Sequence, residues 1–177
     1  MQLLLDRIES PIGTVLIASD GIALNCLDFG DHEDRMMRLM RLHYGDCTLT
    51  PMRNPAGLRD RIEAYFARDF AALDDIVVHT GGTPFQKEVW AALRKIPLGT
   101  TTSYGELAAK IGRPKSSRAV GMANGSNPVG IVVPCHRVIG ASGALTGYGG
   151  GIDRKRWLLA HEGAHLALHP TAAGTPE

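Results

Sequence analysis

The chain has 177 residues, 44% of them apolar and 21% charged, with a formal net charge of +1, which is the profile of a folded globular protein and excludes wholesale disorder. No run of eighteen apolar residues occurs, and the opening MQLLLDRIES carries acids where a secretory leader has a basic segment, so the expectation is a cytoplasmic protein with no membrane partner. Cys26, Cys47 and Cys135 are odd in number and contain no C-x-x-C pair, which excludes a disulfide framework and a cysteine-rich zinc centre.

Residues 1–30 read as three short strands, LLLDRIES, TVLIAS and IALNCLDF, divided by Pro11-Ile12-Gly13 and by Asp20-Gly21. Asp-Gly between apolar runs is a strong hairpin signal. Asp31 to Tyr44 has helical spacing, with Met36, Met37, Leu39 and Met40 on the face available for burial, and Pro55 to Phe70 predicts a second helix through Leu58, Ile62, Tyr65 and Phe66. The methionine cluster reads as core packing. Nothing in residues 1–80 forms a recognisable site, and the segment is expected to be a small α/β scaffold.

Charge and punctuation change at His79-Thr80-Gly81-Gly82. Residues 1–80 hold 8 Lys and Arg against 13 Asp and Glu, a net of −5, whereas residues 81–177 hold 11 against 5, a net of +6. A basic second half points to an anionic partner, of which nucleic acid is the commonest; a chance imbalance on solvated faces is the alternative. Thr83-Pro84-Phe85-Gln86 predicts a capped helix through Lys95, and Ser103-Tyr104-Gly105-Glu106 a second, short one ending at Gly112. After Arg113-Pro114-Lys115, Ser116 is placed to cap a third helix, SSRAVGMANGS, whose Ala119, Gly121 and Ala123 permit close approach. Two short helices on a tight link make a helix-turn-helix pattern or a plain helical hairpin, and Lys110, Arg113, Lys115 and Arg118 sit where such a motif meets phosphates. Val129 to Val133 reads as a buried strand, GASGALTGYGGG (140–151) as a glycine-rich loop with one aromatic, Tyr148, and Asp153 to Ala160 as a closing helix. The overall expectation is an α+β fold: a scaffold over 1–80, a basic, mostly helical unit over 81–165, and a flexible tail over 166–177.

The stretch IVVPCHRV places Cys135 beside His136 at the end of an apolar run. A lone cysteine there is either a buried hydrophobe or a nucleophile. Neighbouring residues of an extended chain point to opposite sides, so a direct thiolate-imidazolium pair needs a turn or a bridging water. A carboxylate behind His136 would complete the arrangement in which a base activates a nucleophile and a third group orients the base, and spacing does not choose among the acids. The loop lacks both nucleotide-binding glycine patterns, so a phosphate cradle is a weak reading; its backbone and Tyr148 could instead wall a pocket for a flat ligand.

From FQKEVW (85–90) through TTSYGELA (101–108), RAVG (118–121), Asn127-Pro128, IVVPCHRVIG (131–140) and TGYGGG (146–151) to LLAHEG (158–163), the chain resembles the O6-alkylguanine-DNA alkyltransferases, or methylated-DNA-protein-cysteine methyltransferases. The first half resembles that family only in element order and the SPIG turn (10–13). The resemblance implies a ribonuclease-H-like first domain and a winged-helix-like second. It implies that Cys135 accepts an alkyl group from O6-alkylguanine once and irreversibly, with His136 as base through a water, Glu162 orienting it, Tyr104 donating to the departing guanine and Asn127 pinning the turn. It further implies a flipped nucleotide held by Pro134, Val138, Tyr148, Gly149 and Gly150. Arg118 would fill the vacated stack, and Lys115, Ser116, Ala119, Gly121 and Ala123 would lie along a minor groove read with little sequence specificity.

No cofactor and no obligate protein partner are implied. Some members hold a structural zinc in the first half, but Cys26 with His32, His43 or His79 gives no ligand spacing, so none is expected. Some carry a serine after the loop tyrosine where this chain has Gly149, leaving only backbone to hydrogen-bond the base there. Relatives that recognise damage without repairing it replace the cysteine, and helix-turn-helix regulators of the family carry an added cysteine-rich zinc domain; a cysteine hydrolase would differ from all of these by turning over.

Overall fold

The computed structural model describes residues 1–164. Strands β1 (Gln2–Ile8), β2 (Val15–Ser19) and β3 (Leu24–Phe29) form antiparallel hairpins. Both turns follow local chemistry: Ser10 Oγ donates to Gly13 O at 2.6 Å, and the Asp20 carboxylate accepts from the Ile22 and Ala23 amides at 2.9 and 2.8 Å, with Gly21 at φ 96°. Helix α1 (Glu33–Tyr44) buries Met36, Leu39 and Met40 against β3, so these methionines are core. A fourth strand, β4 (Thr48–Pro51), pairs parallel with β1 and completes the order β3-β2-β1-β4. Four largely exposed residues ending in proline carry no alternating pattern, which is why the sequence does not announce this edge.

The single helix expected from Pro55 to Phe70 is corrected to α2 (Leu58–Phe66) between two 3-10 turns, 55–57 and 70–73. Ala56 (φ 54°) and Gly57 (φ 73°) interrupt it on one side and Arg68 (φ 76°) on the other, backbone states a helix does not admit. Helices α3 (Pro84–Leu93) and α4 (Tyr104–Lys110) start where expected, each with its reciprocal capping box intact at Thr83/Gln86 and Ser103/Glu106. Helix α5 (Ser117–Gly125) follows, with Ser116 in the capping position but its side chain making no cap bond. Strands β5 (Thr102–Ser103) and β6 (Val138–Ile139) pair in parallel, and α6 (Ile152–His161) closes the described chain. The tail over 166–177 lies outside the described residues.

The buried strand expected at Val129–Val133 is not a strand. The segment is buried throughout, but it touches the sheet only at the bridge Leu27–Val129 and then turns back, with Val133 N bonding to Val129 O at 3.0 Å and Ile131 at φ 68°. Asn127 draws its ends together, accepting from Val129 N and donating to Val133 O, both at 2.9 Å. One apolar cluster runs through both halves, joining Ile8, Val15 and Tyr65 to Trp90, Leu93, Val133, Cys135 and Leu158. The aliphatic side chains among them contribute about 1.5–3 kcal/mol each on full burial, so the halves share the core that stabilises the turn leading to Cys135. No described helix is long and apolar enough to cross a membrane.

Candidate active site

The chain passes from the compact Asn127–Val133 turn through Pro134 into one 3-10 turn, Cys135–Arg137, before entering β6. This turn, not an extended chain, sets the directions of Cys135 and His136. His136 is wholly buried; its Nε2 lies 2.8 Å from Glu162 Oε2, while Nδ1 is buried with no hydrogen-bond partner among the described residues. Glu162 follows the C-terminus of α6, where the helix dipole disfavours an anion. Arg137 offsets this, donating from Nε to Oε1 at 2.8 Å and from Nη2 to Oε2 at 3.1 Å, and Tyr65 adds a hydroxyl to Oε2 at 2.7 Å.

These contacts fix the protonation pattern. Burial raises the Glu162 carboxyl, but the His136 and Arg137 hydrogen bonds and charges outweigh it and hold the group at about 2. A carboxylate there can only accept, so His136 Nε2 carries the proton and Nδ1 is left as the basic nitrogen. Burial pushes His136 down, further lowered by Arg137 and Lys155 and opposed by Glu162, so the imidazole is neutral at neutral pH. Burial also raises Cys135 above the ordinary thiol range, against the lowering effects of Asn127, Arg35 and Lys155. A protonated thiol beside a neutral imidazole with a free basic nitrogen is a nucleophile that needs its base.

Cys135 opens into a pocket of about 300 Å³, with Arg35, Tyr104, Asn127, Tyr148 and Gly149 in its walls. Tyr104 reaches Thr146 Oγ1 at 3.2 Å across the loop, and the loop is pinned from beneath by Lys155, which donates to Val138, Thr146 and Gly147 carbonyls at 2.6, 2.9 and 3.4 Å. Burial depresses this lysine to about 8. The structure thus brings Cys135, His136, Glu162, Tyr104, Asn127, Tyr148 and Gly149 together. It does not bring the other three expected pocket residues to the lining. Gly150 packs on the Phe29 ring, Pro134 lines a separate cavity with Tyr65 and Arg137, and Val138 points into the core from β6.

Four participants are not marked as functional by the sequence: Arg137 stands inside the motif without a role, Tyr65 reads as part of a buried helix face, and nothing singles out Lys155 or Arg35. Arg35 comes from α1, is tied to Asp28 at 2.9 Å and lies so close to Gly149 that a β-carbon there would overlap its guanidinium. A side chain at that position, a serine included, would need the Arg35 guanidinium to move.

On the outer surface, Lys115, Arg118 and Ala119 are exposed and Ser116 is half-buried at the start of α5. Gly121 faces the Tyr104 ring, where a β-carbon would sit at 3.6 Å, and Ala123 is buried, its carbonyl accepting from the Trp90 indole at 2.9 Å. Ala123 lies three residues after buried Val120, so it shares the inward face and leaves the outer one to Arg118, Ala119 and exposed Met122.

A pocketed thiol with a supported imidazole, under a helix pair with a basic start, defines a cysteine acceptor joined to a DNA-binding unit. The family model of the 6-O-methylguanine DNA methyltransferase DNA-binding domain matches residues 84–164. The Salmonella typhimurium methylated-DNA-protein-cysteine methyltransferase is 49% identical over 166 residues, covering 92% of this chain and 97% of that one. Its Methanosarcina acetivorans namesake is 45% identical over 156 residues, covering 88% and 96%. The crystal structure of Mycobacterium tuberculosis OGT in complex with DNA superposes with a TM-score of 0.76 at 44% identity, covering 90% of this chain and 92% of that one. The chain belongs to the methylated-DNA-protein-cysteine methyltransferase family.

Proposed function

We propose that this protein repairs O6-alkylguanine in double-stranded DNA by moving the alkyl group onto Cys135 in a single irreversible step. Direct reversal by methyl transfer to a protein cysteine is the activity of its family. The observation that carries the assignment of residues is the buried Glu162–His136 contact, which leaves Nδ1 basic and unpartnered on the residue next to the pocketed Cys135. His136 takes the thiol proton through a water. Cys135 Sγ forms a bond to the alkyl carbon as the carbon–O6 bond breaks, and the guanine departs with a proton from Tyr104 rather than as an anion. The thioether does not turn over, so each molecule acts once.

The reacting carbon lies inside the duplex stack, so the nucleotide is flipped into the pocket. Arg118 fills the gap, with Lys115, Ser116 and Ala119 on phosphates and sugars of the minor groove and little sequence preference. On this reading the first half is a ribonuclease-H-like scaffold, the second a winged-helix-like binding unit, and no protein partner is required. Replacing Arg118 with Ala tests the duplex role: the rate on O6-methylguanine duplex is expected to fall about tenfold or more, since unstacking costs a few kcal/mol. The rate on free O6-benzylguanine should stay within about twofold, because exposed Arg118 lies outside the Cys135 pocket. Equal losses on both substrates would remove the finger role.

A further inference from the structure

Glu162 Oε2 is shared by three donors, and one comes from the half of the chain in which no site was expected. Tyr65, on α2, is wholly buried and gives its hydroxyl to Oε2 at 2.7 Å, beside His136 Nε2 at 2.8 Å and Arg137 Nη2 at 3.1 Å. The phenol is held on several sides. Its ring meets Phe66, Phe70 and His161 edge-on at 5.3, 5.6 and 5.2 Å, and its backbone carbonyl bonds His161 Nε2 at 2.9 Å. Arg68, three residues on, donates to the His161 carbonyl at 3.2 Å, so α2 grips the end of α6 immediately before Glu162.

We propose that Tyr65 is a positioning residue of the alkyl transfer, donating to the Glu162 oxygen that holds His136 and thereby keeping the imidazole in the tautomer whose Nδ1 is free to act as base. The inference rests on the assignment of Cys135, His136 and Glu162 to the transfer. A further donor on that carboxylate oxygen, beside His136 and Arg137, draws charge away from the imidazole and weakens the pull that Glu162 exerts on a second His136 proton. It also blocks that oxygen from becoming a donor. The groups facing this pair are Arg137 from the 135–137 turn, Lys155 from α6, Tyr148 from the loop and Tyr65 itself; of the donors bonded to the carboxylate Arg137 is charged, while Tyr65 and the resting imidazole are neutral. Losing it leaves more negative charge on Oε2 and makes His136 easier to protonate.

The test is single-turnover transfer from O6-methylguanine duplex to the full chain between about pH 5 and 9, with the His136 ring nitrogens followed by 15N NMR. For Tyr65→Phe, the acid limb of the rate and the His136 titration should both move up by about half to one pH unit, a three- to tenfold loss on the acid side with the alkaline plateau retained. A purely structural tyrosine would lower the rate at every pH, or the melting temperature, without moving either midpoint, and that result would overturn the proposal. If Tyr65→Phe does not fold, 3-fluorotyrosine placed at position 65, a stronger donor, should shift both midpoints downward; unchanged midpoints would overturn it equally. Glu162→Gln run alongside separates the two levels: a collapsed rate there with an unmoved Tyr65 variant defeats only the role of Tyr65, whereas an unaffected Glu162 variant defeats the catalytic assignment beneath it.

Discussion

Replacing Cys135 with Ala is expected to abolish alkyl transfer while leaving binding to O6-methylguanine duplex within about twofold of the parent. Transfer requires an atom that can form a stable bond to carbon, and no other thiol is equipped for it. Cys26 is fully buried on β3, and burial raises it far beyond the thiolate range, while Cys47 is half-buried and donates to the Gly45 carbonyl at 3.5 Å. Neither shares the pocket of Tyr104 and Tyr148. Binding survives because the exposed residues at the start of α5 are untouched, and removing one sulfur from a pocket wall costs about 1 kcal/mol or less of stability. Quantifying labelled methyl on the protein beside an electrophoretic binding titration checks both halves. Residual label on the variant would identify another acceptor.

Glu162→Gln should cost about two to four orders of magnitude in transfer rate together with a measurable loss of stability. The carboxylate accepts from Tyr65, His136 and Arg137 at both oxygens, and an amide has only one accepting atom. Its NH2 group must face a former donor. The pocket can relieve that clash by moving the His136 proton to Nδ1, which removes the base, or by leaving Arg137 unpaired, and breaking a buried charge pair costs about 3–5 kcal/mol. The acid dependence follows the same groups. Because Glu162 is held at about 2 in the fold against an ordinary 4.5, it contributes about 3 kcal/mol that is present above pH 4.5 and lost as pH falls through about 2. His136, lowered by burial, acts in the same direction below about 6.5, where the unfolded chain takes up a proton that the fold refuses. Urea unfolding at stepped pH should show the parent losing stability on acidification and the Gln variant starting lower with a shallower slope. Equal slopes would argue against an ionised Glu162.

What was legible in the sequence was mostly local. The Asp20-Gly21 hairpin and the two capping boxes are decided by residues within a few positions of one another, and they form as read. The thiol and imidazole were legible as neighbours, but spacing left the acid open and only the family resemblance pointed to Glu162, 26 residues from His136. The run Val129–Val133 shows why burial is easier to read than conformation: its apolar character was visible, but its turn depends on Asn127 bonding both ends. Tyr65 is 97 residues from Glu162, and its hydroxyl sits on an otherwise ordinary core face, so nothing nearby marks it. Arg35 was hidden for the opposite reason, since arginine on a helix is normally solvated and here it turns inward to Asp28 and Gly149.

The account is tested most directly by intact mass and peptide mapping after mixing the protein with excess O6-methylguanine duplex. It predicts one added methyl, on Cys135, and no further gain with time or substrate. An unchanged mass alongside tight DNA binding, or a methyl found elsewhere, would contradict it.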